Sequence, residues 1–244
     1  MYNCLISPTV AKTSRELSEP ETRPDRKQAI LLAAERLFAQ KGYHAVSIRQ
    51  IADEAGVPLA LVGYYYGPKH DLFHAIFAHW SNTIDERLAL LAQARAGKPD
   101  RRTLERVVLA FIEPVLRLRD SPEGEYYALL VARELAYRTP DADRVLTDYF
   151  DPMAHAFIDA LHAICPASSR ADAAWAYQFA LGALIHHISD TRIQRLSRGD
   201  NPPCDPAARP HLARFITAGI WALLAPASPR SRSTHNTITS RRQT

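Results

Sequence analysis

Cysteine is scarce in this sequence, with Cys4, Cys165 and Cys204 spread over 244 residues. They form no CxxC pair and no Cys/His spacing, which argues against a disulfide framework and against a zinc site. Long hydrophobic runs are lacking as well, because no apolar segment reaches the roughly eighteen residues that a transmembrane helix needs. No basic segment precedes the apolar residues near the N-terminus. We therefore expect a cytoplasmic protein with no signal peptide and no membrane partner.

Motifs of catalytic centres are also missing. The sequence has no GxSxG, GxGxxG or P-loop pattern, so we expect neither an enzyme nor a bound cofactor. His155, His162, His186 and His187 invite a metal site, yet no acidic or cysteine residue completes a ligand set at metal-binding spacing. We interpret these histidines as structural or cavity-lining, and Cys165 as a buried inert thiol.

Charge is unevenly distributed along the chain. The net charge of +4 is the sum of −1 for residues 1–21, +2 for 22–72, −1 for 73–225 and +4 for 226–244. The large central region is therefore neutral, and any affinity for nucleic acid must come from local geometry rather than from bulk charge. We expect residues 1–21 to be a disordered arm and residues 226–244 to be a disordered basic tail.

Strand signals are absent, and the pattern between the two termini is helical. No stretch combines alternation of apolar and polar residues with enrichment in β-branched residues, and no Asn-Gly or Asp-Gly turn occurs. We predict an all-α protein of about nine helices. Beyond the first three, helices are expected from Lys69 to about Leu91 and near 102–119, 124–137, 142–164, 169–197 and 207–225. Pro114 and Pro152 predict a kink or a late helix start.

The first helix has recognisable ends. Thr22 and Asp25 resemble a capping pair, and Pro24 suits a first turn. Gly42 is a suitable C-terminal residue, and Tyr43 is expected to pack on Phe38. One apolar stripe at helical spacing lies between the ends: Ile30, Ala33, Ala34, Leu37 and Phe38.

Two short helices follow the first one. Ser47 and Gln50 form a capping box for the second helix, which Gly56 ends. Val57 and Pro58 begin the third, whose expected inner face consists of Leu61, Val62 and Tyr65. Three short helices with a glycine-centred turn indicate a helix-turn-helix domain at 22–72, followed by a larger helical domain at 73–225.

The segment KGYHAVSIRQIADEAGVPLALVGYYYGPKHDLF, from Lys41 to Phe73, resembles the signature of TetR-family regulators. A Gly-Tyr corner, a Ser cap, an Ile-Ala-x-x-Ala-Gly-Val segment, an aromatic cluster and a Lys-x-x-Leu pair all fall in register. The resemblance covers about 50 residues strongly and extends to the rest of the chain only as an all-helical domain of suitable length.

The resemblance implies which residues contact double-stranded DNA. It assigns phosphate contacts to Ser47, Tyr64, Tyr65 and Lys69, and base edges to the positions of Leu59, Ala60 and Leu61. Arg49 projects from the second helix and is a candidate for binding guanine through both arms of its guanidinium.

Alternatives remain open for several of these residues. Arg49 could be a solvated arginine, Lys69 a surface lysine, and the tyrosines core residues, Tyr66 above all. Gly63 stands where the family often has tyrosine, and the apolar residues at 60 and 61 suggest that readout depends on thymine methyl groups and DNA shape.

The last two long helices carry broad apolar faces with small residues at their centres. Paired across a two-fold axis they would form a four-helix interface of a homodimer, as the resemblance also implies. The alternative is a core within one chain. The expected interface residues are Phe179, Gly182, Ile185, Phe215, Ile216, Gly219, Ile220 and Leu223.

The helices between 102 and 164, together with Trp175, carry aromatic and aliphatic residues that predict an internal cavity for a small, mostly apolar effector. Its expected walls are Phe111, Val115, Leu118, Tyr127, Leu130, Leu135, Phe150, Phe157 and Trp175. Together these features predict a sequence-specific DNA-binding transcriptional regulator, a repressor that its effector releases from a palindromic operator. The alternatives are a helical enzyme and a structural DNA-binding protein that carries a helix-turn-helix.

Overall fold

The computed structural model describes residues 25–122, 124–136 and 140–225, and these residues form helices and connecting turns without a strand. The all-α prediction is thereby confirmed. The arm at 1–21 and the tail at 226–244 lie outside the described residues. None of the described helices is both long and apolar enough to cross a membrane.

Twelve α-helical segments can be followed along the described ranges. They are α1 (Arg26–Lys41), α2 (Ile48–Glu54), α3 (Leu59–Tyr66), α4 (Lys69–His79), α5 (Ser81–Ala94), α6 (Arg101–Asp120), α7 (Glu125–Ala136), α8 (Pro140–Val145), α9 (Asp151–Ile164), α10 (Arg170–Ser189), α11 (Ile193–Leu196) and α12 (Arg209–Leu224).

The ends of α1 follow from local chemistry. The Asp25 side chain accepts a hydrogen bond from the Lys27 backbone N–H and is the N-cap, so Asp25 itself has the capping role that we expected of Thr22. Gly42 adopts φ +85°, and its N–H donates to the Phe38 carbonyl. The Tyr43 ring lies 5.5 Å from the Phe38 ring, which confirms the predicted contact.

The helix-turn-helix forms as the sequence predicts. Ser47 and Gln50 make the capping box of α2, and Gly56 takes φ +64° in the turn that follows. The inner face of α3 is narrower than expected, because only Val62 is buried while Leu61 is half-buried and Tyr65 is exposed. Helices α1 to α4 pack around one core that includes Ile30, Phe38, Ile51, Val62, Phe73 and Phe77.

The prediction of a single long helix from Lys69 to Leu91 is wrong, because the helix is interrupted at Trp80, between α4 and α5. The Trp80 carbonyl accepts from the N–H and the hydroxyl of Thr83, which interrupts the regular i to i+4 ladder. The Trp80 indole N–H donates to a Glu35 carboxylate oxygen at 2.7 Å. At this interruption the Trp80 indole thus contacts α1.

The later helices differ from the expected spans in two places. The segment predicted at 142–164 is α8, a π-helical turn at Leu146–Phe150 and then α9, whose first turn holds Pro152. The segment predicted at 169–197 ends at Ser189, and the short α11 follows it. Helix α6 continues through Pro114.

A second core fills the larger helical unit, formed by buried residues of α5, α6, α9, α10 and α12. The expected boundary between residues 72 and 73 lies inside α4, whose Phe73, Ile76 and Phe77 belong to the first core. Tyr127 and Leu130 of α7 also enter the first core. The two units are thus joined by a continuous apolar contact.

Helices α1 and α7 make the main polar connection between the units. Glu35 of α1 is almost fully buried and accepts from the Tyr127 backbone N–H, which belongs to the first turn of α7 and has no intrahelical acceptor. Six residues further along each helix, Arg133 of α7 donates to the Lys41 carbonyl at 3.4 Å. Each helix thus satisfies a free backbone group at one end of the other.

We predict that Glu35 makes stability depend on pH. Burial raises the pKa of its carboxyl from 4.5 to about 7, against the lowering effect of the Trp80 and Tyr127 hydrogen bonds. A raised folded-state pKa contributes stability that is present below pH 4.5 and is lost as the pH rises through 7. Relative to Glu35→Gln, the wild type should lose about 3 kcal/mol of unfolding free energy over this window.

Urea denaturation at several pH values between 4.5 and 8 measures this difference. Glu54→Gln is the matched control, because Glu54 is exposed in the same helical bundle and pairs with Arg36. A wild-type-minus-Glu35→Gln difference that stays constant with pH would contradict the prediction.

Candidate nucleic-acid interface and internal cavity

Helices α2 and α3 present one continuous exposed surface. Ser47 and Arg49 at the start of α2 are exposed, and so are Leu59 and Ala60 at the start of α3. Tyr64 is 80% exposed, which is unusual for a tyrosine in a helix that packs against a core. With Tyr65, which is also exposed, six of the eight predicted DNA contacts lie on one accessible surface.

The tyrosine triplet divides between this surface and the core. The rings of Tyr64 and Tyr65 lie edge to face at 5.2 Å, and both are exposed. The Tyr66 hydroxyl instead donates to the Lys27 carbonyl at 2.8 Å, and burial raises the pKa of this phenol to about 12. Tyr66 thus fixes α3 to α1, as the alternative interpretation expected.

Leu61 and Lys69 are less exposed than the other predicted DNA contacts. Leu61 is half-buried against the first core, because it adjoins the inner position of Val62 and gains more from burial than from exposure. The Lys69 ammonium donates to the Tyr43 carbonyl and lies 4.3 Å from the Tyr43 ring centre and 5.7 Å from that of Phe38. In the protein without DNA, Lys69 therefore stabilises the corner after α1, and its phosphate contact stays a prediction.

An internal cavity of about 60 Å³ lies between α5, α6, α7, α9 and α10. Of the expected wall residues, Val115, Leu118, Tyr127, Leu135 and Phe150 line it. The rest of the wall comes from residues that we did not predict: Thr83, Ile84, Arg87, Pro114, Ala128, Val131, Met153, Tyr177, Leu181, Leu184 and Ile188, with Ile185 from the predicted interface.

Four expected wall residues are elsewhere. Phe111 and Phe157 pack on each other with ring centres 5.2 Å apart within the second core. Leu130 belongs to the first core. Trp175 is 60% exposed and stacks on Phe179, because the rotation of α10 turns this face away from the cavity.

Arg87 is the wall residue that the sequence could have indicated. Ile84, Arg87 and Leu91 share the i, i+3, i+7 stripe of α5, and all three are buried. An arginine within a buried apolar stripe is a marked exception to the usual pattern of burial.

The exposed sides of α10 and α12 form a large apolar surface. Trp175, Phe179, Phe215 and Leu223 are all exposed, and a groove of about 460 Å³ runs between the two helices. Ile216 and Ile220 are largely buried and line this groove, whereas Ile185 lines the internal cavity. Both helices therefore contribute buried residues to the core of the chain and exposed residues to this surface, and the dimer interface stays a prediction.

Glycine keeps this surface open. Gly182 and Gly219 have no neighbouring atom within 4 Å of where a Cβ would stand. A second helix could therefore approach the backbone closely at both positions.

The candidate ligands for metal are dispersed. Within the described residues no three His, Cys, Asp or Glu side chains come together at metal-binding distance. His186 pairs with Asp190 at 3.0 Å, and burial raises the pKa of the Cys165 thiol.

A helix-turn-helix with an exposed second helix, joined to a larger helical unit with an internal cavity, defines a class of DNA-binding regulators. Two family descriptions match the chain: "Bacterial regulatory proteins, tetR family" over residues 30–76 and "Tetracyclin repressor-like, C-terminal domain" over residues 109–219. The chain belongs to the TetR family of transcriptional regulators.

Individual relatives match shorter parts of the chain. The regulator HbdR of Aromatoleum sp. (strain CIB) is 35% identical over 69 residues, 28% of this chain and 29% of HbdR. The activator FasR of Mycolicibacterium smegmatis is 30% identical over 92 residues, 37% of this chain and 41% of FasR. The chain thus spans less than half the length of either relative.

The likeness to solved structures extends over most of the fold. A TetR-like regulator from Rhodococcus sp. RHA1 superposes with a TM-score of 0.55 at 21% identity, covering 82% of this chain and 95% of that structure.

We predict that Lys69→Met destabilises the protein even without DNA. The substitution keeps the apolar stem but leaves the Tyr43 carbonyl without its ammonium donor and removes the contact with two rings. The unfolding free energy should fall by about 1–2 kcal/mol. Chemical denaturation measures this, with Lys98→Met, a change at an exposed lysine in the turn before α6, as control. Equal stability of Lys69→Met and wild type would contradict the role given to this ammonium.

Proposed function

We propose that the protein is a repressor that binds a palindromic operator as a homodimer in the cytoplasm and releases it when a small, mostly apolar effector enters the cavity. The observation that carries the proposal is the exposed surface of α2 and α3. These helices place a cap, an arginine and two tyrosines around a helix that has only one buried side chain.

Phosphate contacts would fix the position of this surface on DNA. The Ser47 cap lies at the N-terminus of α2, where the helix dipole favours an anion. The Tyr64 hydroxyl extends from the exposed side of α3 and can donate to a phosphate. Such contacts orient α3 without reading the sequence.

Base recognition would rest on few polar groups. Arg49 is exposed and has no ion-pair partner among the described residues, so both arms of its guanidinium are available to a guanine. Leu59 and Ala60 offer methyl groups that can contact thymine. We expect the remaining specificity to come from DNA shape.

Two substitutions separate these roles. Arg49→Ala should cost about 1–3 kcal/mol on the preferred operator and relax the preference at one base pair of each half-site. Tyr64→Phe should weaken binding to all sequences equally, because only a phosphate contact is lost.

Selection and sequencing of bound genomic fragments identifies the operator, and fluorescence anisotropy then measures each affinity. Arg95→Ala, at an exposed arginine after α5, is the control and should leave binding unchanged. If Arg49→Ala binds every operator variant as the wild type does, then Arg49 reads no base.

The surface of α10 and α12 would hold the dimer together. Monomers commonly expose single apolar residues, but four large apolar side chains exposed together on two adjacent helices are typical of a protein–protein interface. In a two-fold arrangement the groove of one copy receives the aromatic side chains of the other, and Gly182 and Gly219 allow close approach. Dimerisation would set two α3 helices at a distance of about 34 Å, one turn of DNA, or a multiple of it.

We predict that Phe215→Glu dissociates the dimer. The change removes a 70% exposed aromatic ring and places a charge in the centre of the apolar surface, twice per dimer. The dimer dissociation constant should rise by about 100-fold or more, and operator affinity should fall with it. Analytical ultracentrifugation measures the association. Gln93→Glu, at an exposed position of α5, is the charge-matched control. A Phe215→Glu protein that stays dimeric would place the interface elsewhere.

The contact between α1 and α7 supports the coupling of cavity and DNA surface. Tyr127 lines the cavity, stacks on Trp80 with ring centres 5.4 Å apart and donates its backbone N–H to Glu35. A ligand that moves Tyr127 would therefore shift α1 and, with it, the spacing of the two α3 helices. Coupling of this kind is typically worth about 1–3 kcal/mol and is reciprocal between DNA and effector.

A further inference from the structure

Arg87 is the feature of the cavity that an apolar effector leaves unexplained. Its side chain lies in the wall of the cavity and is only 6% exposed. It is the one charged residue among the described residues that line this space. A charge in such a position is costly unless a partner compensates it.

The partners of Arg87 within the described residues cover its face but not its edge. The guanidinium carbon lies 4.7 Å from the ring centre of Phe111 and 5.8 Å from that of Phe157, which places aromatic rings beside the planar group. The Nε and one terminal nitrogen are buried and donate a hydrogen bond to no partner among the described residues. These two nitrogens are therefore free donors.

The oxygens beside Arg87 belong to neutral groups. Tyr177 and Tyr127 lie close enough to influence its charge, and both also line the cavity. A phenol stays uncharged at neutral pH, and burial raises the pKa of both tyrosines further. The guanidinium thus has neutral phenols beside it that can donate hydrogen bonds to a bound anion, but these neighbours do not balance its positive charge.

We infer that Arg87 is the receptor for the carboxylate of the effector, which is a monocarboxylic acid with an apolar tail. The planar guanidinium matches a carboxylate through two parallel N–H···O bonds. A single positive charge balances a single negative one, so polyanions such as nucleotides lack the cations that they would need here. The class of effector named here rests on the proposed function.

The dimensions of the cavity agree with this arrangement. About 60 Å³ admits a few water molecules, hence a head group but not a tail. The tail must separate the side chains of α7 and α10, among them Val131 and Leu181. Entry of the whole acid would therefore deform the wall that contains Tyr127, which the head group alone would not require.

Calorimetric titration of the full chain tests the inference. The probes are butanoate, octanoate, decanoate, benzoate and phenylacetate, each beside its neutral primary amide at constant ionic strength. At least one acid should bind the wild type about 10- to 100-fold more tightly than its amide, the range typical of hydrogen bonds to a charged group. Arg87→Met should abolish this preference and leave amide binding unchanged.

Two further variants keep the result interpretable. Arg87→Lys retains the charge without the planar pair of donors and should show an intermediate preference. Arg117→Met is the matched control, because Arg117 is exposed and pairs with Glu86 outside the cavity. Arg87→Met should melt no lower than the wild type without ligand, since the change removes an unpaired buried charge.

The inference is overturned if no acid of the panel binds more tightly than its amide, or if the preference persists in Arg87→Met. Operator affinity, measured separately by anisotropy, distinguishes this failure from failure of the proposed function. An acid that binds through Arg87 but leaves operator affinity unchanged would overturn its role as effector while the carboxylate site stands. If the wild type bound no DNA at all, the proposed function would be overturned, while the result of the acid and amide titrations would still stand.

Discussion

The buried carboxyl group of Glu35 is the constraint on which the relation between the two helical units depends. It accepts hydrogen bonds from the Trp80 indole and from the first turn of α7, so one side chain of α1 determines both the break between α4 and α5 and the position of α7. Because an unmet acceptor in this location would be expensive, these hydrogen bonds oppose separate movement of the three elements. The candidate DNA-binding surface is thereby connected to the wall of the cavity.

This arrangement explains why the small first unit does not end at a linker. Tyr127 and Leu130 of α7 complete the apolar core of α1 to α4, and Arg133 satisfies the last turn of α1. A small unit made of α1 to α4 buries little apolar surface alone, so part of its stability comes from α7. Any process that displaces α7 would therefore affect both the stability and the orientation of α3.

The sequence predicts features that are decided within a few residues. Gly42 and the capping box of Ser47 and Gln50 appear as expected, because caps depend on neighbouring backbone groups. The break at Trp80 could not be foreseen, since its indole contacts a carboxylate 45 residues away in the chain. The positions of Trp175 and Phe111 were misjudged for a related reason: the composition of a helix does not specify which side faces a cavity.

Aromatic content was therefore a poor guide to the cavity. A charged residue within an otherwise apolar stripe of a helix would have been a better one. Phe111 and Phe157 are large and apolar and can fill any core, so their presence does not distinguish a cavity wall from ordinary packing. Arg87 fits only where its charge has a use, because burying it without a partner opposes folding. When local rules hold along a helix and fail at one residue, that residue points to function more directly than those that obey them. In α5 the exception falls between Ile84 and Leu91, on the side of the helix that faces the internal space.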